Sequence, residues 1–180
     1  WVSTLVAIPA LALASIINKL GAWSLGLGEV IAFGCIYPLT FYLAALATRG
    51  ASRLAAAAEA RSGRPRHPSR VAILADLVFP ASFVILEYLL SLTPLGSFGS
   101  LASTQFEFAP FLQLASLTGL WGLGFVITWV AAGLNRAWEE GLVPPGRGAI
   151  ALPLAALALV LCGGSLRLAL AEPQGPTVKV

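Results

Sequence analysis

The apolar residues of this chain fall into five blocks, each close to the length that crosses a bilayer, and not into stripes at helical or strand spacing. A helix needs about 20 apolar residues to cross the roughly 30 Å hydrocarbon layer of a membrane. The blocks occupy 1–17, 30–47, 71–92, 110–134 and 149–170. A soluble domain could not cover a surface made of such segments, since 58% of the residues are hydrophobic and only 11% charged. The expected fold is therefore an all-α membrane protein, a polytopic bundle of about five transmembrane helices over 1–171.

The connections between blocks carry the topology. The segment 48–70 holds Arg49, Arg53, Arg61, Arg64, Arg66 and Arg70 against the single acid Glu59, whereas 93–109 has no basic residue. The excess of arginine places 48–70 in the cytoplasm and 93–109 outside. Arg136 and Arg147 return 135–148 to the basic side, so five spans leave the amino end cytoplasmic and the carboxyl end external. Six of the eleven Lys and Arg residues lie in that one connection, so the net charge of +3 reads as a topology signal and not as a nucleic-acid surface. The same arginines could also dock anionic headgroups, at about 1 kcal/mol each near a membrane surface.

Details within the blocks refine the picture. Pro38 in the second block predicts a kink there. Gly119, Gly122, Gly124 and Gly133 with neighbouring alanines make the fourth block the place where helices approach most closely. Arg167, near the end of the fifth block, is expected to snorkel toward the interface. No basic stretch precedes the first block, so it reads as a span and not as a signal peptide. The chain begins at Trp1 and contains no methionine, which reads as a piece of a longer protein.

Few residues are candidates for chemistry. Asp76 and Glu87 in the third block are eleven positions apart, about 20° from three full helical turns, so they share one helix face. Acids at membrane depth are costly and point to a relay, a cationic ligand or a hydrogen bond to a neighbouring helix. Gln105, Glu107 and Gln113 flank the outer entry to the fourth block, where amides can line a cavity mouth or cap a helix. Cys35 and Cys162 both sit inside apolar blocks, away from any activating base, and read as packing residues. His67 has no second ligand near it in sequence, and Gly26-Leu27-Gly28 lacks the strand-to-helix setting of a phosphate loop. No catalytic, metal or cofactor site is assigned.

The order of residues from Glu87 to Asn135 resembles the membrane domain of the apolipoprotein N-acyltransferase family. The resemblance rests on Glu87-Tyr88-Leu89, a turn-rich connection, Gln105, and the run Phe111-Leu112-Gln113-Leu114-Ala115-Ser116-Leu117-Thr118-Gly119-Leu120-Trp121-Gly122-Leu123-Gly124-Phe125, closing at Asn135. The alternation of Pro176, Thr177, Val178, Lys179 and Val180 looks like the first strand of the nitrilase-like domain that follows in that family, making 172–180 a linker and the start of that domain. The resemblance implies a bacterial inner-membrane protein that moves an acyl chain from phospholipid to the N-terminus of a lipoprotein, with a Glu-Lys-Cys set on the domain after 180 acting through a thioester. It also implies a lipid path near Asp76, Glu87, Gln105 and Gln113, between the third and fourth spans, with phospholipid and lipoprotein as partners and no cofactor. The outer connection departs from the family pattern, reading Ser91-Leu92-Thr93-Pro94-Leu95-Gly96-Ser97-Phe98-Gly99 where an Arg and a Phe-Pro-Trp run are common. A membrane-bound, amidase-like carbon–nitrogen hydrolase is therefore the first alternative. A small transporter or scaffold with Asp76 and Glu87 along its pathway is the second.

Overall fold

The computed structural model describes residues 27–62, 68–93, 96–97, 100–140 and 146–171. The first apolar block, His67 and the 172–180 segment lie outside them. The chain divides into two compact units, Trp1–Gly96 and Ser97–Val180. Among the described residues all regular structure is helical, as the apolar blocks required: α1 Leu27–Ser62, α2 Pro68–Ser91, the 3-10 helix η1 Leu101–Gln105, and α3 Ala109–Leu112, α4 Ala115–Glu140 and α5 Gly146–Leu170.

In the first unit α1 packs against α2. The contact is aromatic: the Phe41 ring lies 4.6 Å from that of Phe83 and 6.4 Å from that of Phe79. Ala44 and Phe83 are buried in the same seam. α1 runs on for 36 residues, through Pro38 and past the end of the apolar block. Arg49, Arg53 and Arg61 accordingly belong to a helix and not to the loop expected over 48–70. The physical reason is the Ala-rich stretch Ala55 to Ala58, which favours helix strongly and carries no turn residue. At 1.5 Å per residue, 36 residues reach about 54 Å, more than the roughly 30 Å thickness of a bilayer core.

In the second unit α4 and α5 pack along one another, α5 also lies against α3, and η1 is set on α4. Ala102, Phe111, Leu123 and Val126 form the core, with Leu157, Val160 and Leu161 of α5 packed on it. Ser100 caps η1, its hydroxyl accepting a hydrogen bond from the Ala102 amide at 3.3 Å. Thr128 is buried and returns its hydroxyl to the Gly124 carbonyl at 2.7 Å, which removes a polar group from the apolar interior.

The fourth apolar block differs from the single helix expected over 110–134. It is broken after Leu112, continues as a turn through Gln113 and Leu114, and bends again at Gly119, whose φ of 66° and ψ of −166° lie outside any helical region. Only glycine takes that conformation at low cost. Beyond the bend the helix is regular and outlasts the block, ending at Glu140.

Two helices among the described residues are long and apolar enough to span a membrane, Ala115–Trp138 and Ile150–Leu170. Only 28% and 11% of their apolar stretches are buried within the chain. The core helix of a soluble protein would be mostly covered, so this exposure fits a lipid solvent.

Candidate functional site

The breaks at Gln113 and Gly119 turn the start of the fourth apolar block away from a straight helix, and a cavity of about 340 Å³ opens where the block departs from α5. Gln113, Leu114 and Leu117 form one wall, while Leu159, Val160, Gly163, Gly164 and Arg167 form the other. It is a groove and not a closed hole, since Leu117 and Leu159 at its rim are 82% and 75% exposed.

Two glycines of α5 set its shape differently. A Cβ on Gly164 would stand 1.9 Å from the Pro110 carbonyl oxygen, so this position holds the backbone of α5 directly against the start of α3. Gly163 has nothing within 4 Å of where its Cβ would be, and its missing side chain leaves the groove open.

The polar groups gather at one end. The Ser116 hydroxyl donates to the Gln113 carbonyl at 2.7 Å and accepts from the Arg167 guanidinium. The Gln113 amide nitrogen reaches back to the Ala109 carbonyl at 3.4 Å, a long and weak bond. Among the described residues no carboxylate pairs with Arg167. The cavity thus joins a cation and a hydroxyl to a trough of Leu, Val and Gly. It sits where the spanning stretch Ala115–Trp138 begins and the stretch Ile150–Leu170 ends.

Gln113 therefore lines a cavity, and the wall opposite it comes from α5. Gln105 lies outside the cavity, half-buried on η1, with its amide on the Thr104 hydroxyl at 2.9 Å. Glu107 is exposed beside it. In the first unit, Glu87 is buried and Asp76 half-buried, with the buried Pro80 and Phe83 between them on the same helix face. Each acid has a partner, and Oε2 of Glu87 is buried without a hydrogen bond among the described residues. The packing role expected of Cys162 is not seen: it is exposed on α5. Among the described residues no three His, Cys, Asp or Glu side chains come together as a metal site would require.

Arg167 and Ser116 were missed as a pair by sequence reasoning. They are 51 positions apart, and each alone reads as ordinary: a snorkelling cation and a small polar residue in an apolar run. The usable signal was the Leu-Thr-Gly sequence at 117–119, a threonine and glycine together at the start of a span.

Searches of curated proteins and of solved structures find no match to the chain. A family model does match: the apolipoprotein N-acyltransferase N-terminal domain, over residues 1–133. The match takes in the Gln113 wall of the cavity and stops before α5, which supplies Arg167. With some three quarters of its length matched by that domain, the chain belongs to the apolipoprotein N-acyltransferase family.

Proposed function

We propose that the chain is the membrane-anchoring domain of an apolipoprotein N-acyltransferase-like protein, which transfers an acyl chain from phospholipid to the amino terminus of a lipoprotein. The observation that carries this is the family match over residues 1–133, supported by the all-helical structure and by exposed apolar helices that suit a bilayer. In this reading the chain crosses the bacterial inner membrane five times, with its amino end in the cytoplasm and its carboxyl end outside. The arginine excess of 48–70 supports the orientation. The first spans and α4 and α5 hold a Glu-Lys-Cys catalytic domain at the outer surface and deliver lipid to it.

The transfer breaks the ester bond of a phospholipid, passes the acyl group to a cysteine as a thioester, and forms an amide with the lipoprotein amine, releasing a lysophospholipid. None of these steps is placed on residues 1–180.

The test uses the full-length protein in vesicles whose phospholipid carries a labelled acyl chain, with a lipopeptide bearing a free amine as acceptor. Labelled N-acyl lipopeptide and an equal amount of lysophospholipid are expected. Release of ammonia or amine from simple amides without acyl transfer would replace this reading with the amidase-like one.

A further inference from the structure

We infer that the groove between the Gln113 turn and α5 is a binding site for one phospholipid molecule, with the phosphate on Arg167 and Ser116 and an acyl chain along Leu117, Leu159 and Gly163. The inference rests on the membrane reading of α4 and α5, and not on the acyl-transfer chemistry.

Charge complementarity selects the occupant. Arg167 presents its guanidinium at the groove with a neutral hydroxyl as its partner and no carboxylate against it among the described residues. A guanidinium with spare donors matches phosphate oxygens in a fork geometry, and the Ser116 hydroxyl can turn to add a donor. Below that polar end the walls are leucine, valine and glycine, which offer a phosphate nothing and an alkyl chain a great deal. A free anion would use only one end of a 340 Å³ groove; a phospholipid uses both.

Depth selects it as well. The polar end lies where Ala115–Trp138 starts and Ile150–Leu170 finishes, so Arg167 stands at the level of leaflet headgroups and the trough runs toward the hydrocarbon. Gly163 keeps that trough empty, since a Cβ there meets no atom within 4 Å, while its neighbour Gly164 is committed to packing on Pro110. Adjacent glycines, one closing the helix contact and one leaving space beside it, make a slot for a chain from outside the protein.

The experiment is native mass spectrometry of the full-length protein released from nanodiscs of phosphatidylglycerol and phosphatidylethanolamine. The wild-type protein is expected to retain one phospholipid. Gly163→Leu places a side chain in the slot from a position where its Cβ meets no atom within 4 Å, Arg167→Gln removes the charge, and both are expected to weaken retention about tenfold, whereas Arg167→Lys stays within about threefold. Retention unchanged in both Gly163→Leu and Arg167→Gln overturns the site. Loss in Gly163→Leu alone overturns the phosphate assignment, and displacement of the lipid by inorganic phosphate shows a free-anion site instead. Acyl transfer is measured on the same preparations: retained lipid without transfer leaves this inference standing and removes the proposed function, and transfer with no retained lipid does the reverse.

Discussion

Gly164 lies so close to Pro110 that a Cβ at the glycine would come within 1.9 Å of the proline carbonyl oxygen and 2.8 Å of its carbon. These are backbone atoms and cannot swing aside. The contact fixes the height at which α5 meets the start of α3, and so places Arg167, one turn further along, beside Ser116.

Gly164→Val is therefore expected to push α5 off α3 and lower stability by about 1–3 kcal/mol, the usual cost of overpacking. Gly163→Ala, which meets open space, should leave it unchanged. Thermal unfolding of the two variants in one detergent compares them directly, and equal midpoints would refute the asymmetry.

The bend at Gly119 supplies a second expectation. Its φ of 66° with ψ of −166° is a conformation that a Cβ penalises by about 1–3 kcal/mol. Gly119→Ala should lose that much stability or straighten the helix. Straightening would show as a change in the distance between spin labels at Leu117 and Leu134, both exposed.

The helices over the second to fifth apolar blocks were legible in the sequence, and two of them, Ala115–Trp138 and Ile150–Leu170, are long and apolar enough to span a membrane; the first block lies outside the described residues. The helix ends were less legible. α1 overshoots the second block because alanine and arginine are strong helix formers, a property that hydropathy does not register. The break at Gln113 and the bend at Gly119 lie within an unbroken apolar run, where a glycine that turns the chain looks the same as one that packs a neighbour. Asp76 and Glu87 fall on one face as their spacing required, with Glu87 only 4% exposed. The groove was invisible for a different reason: Arg167 and Ser116 meet only through the packing of α4 and α5, across 51 residues.

Glu87 and its neighbours allow a direct check of which face of α2 meets lipid. Ile85 and Leu89 are exposed while Glu87 is buried. Spin labels at 85 and 89 should be accessible to oxygen dissolved in the bilayer, and a label at 87 should not, since a charge facing lipid costs at least about 2.5 kcal/mol. Equal accessibility at all three positions would contradict the packing of this face.

Topology requires probes on exposed positions. Ser100 lies in the outer connection but is buried as the cap of η1, so Thr104, which is exposed, is the better outer site. Ala60, exposed near the basic end of α1, is its inner counterpart. In a protein with both native cysteines removed, a membrane-impermeant thiol reagent added outside is expected to label Thr104→Cys and spare Ala60→Cys. The reverse pattern would invert the orientation, and labelling of both would remove it.

In the proposed function, residues 1–180 anchor and supply an N-acyltransferase without performing its chemistry. The most direct measurement compares full-length protein with residues 1–180 in vesicles containing acyl-labelled phospholipid and a lipopeptide with a free amine. N-acyl lipopeptide and lysophospholipid are expected in equal amounts from the full-length protein, and neither product from residues 1–180. Turnover by residues 1–180 that disappears in Cys35→Ala or Cys162→Ala, or a full-length protein that transfers no acyl group to the amine, would contradict it.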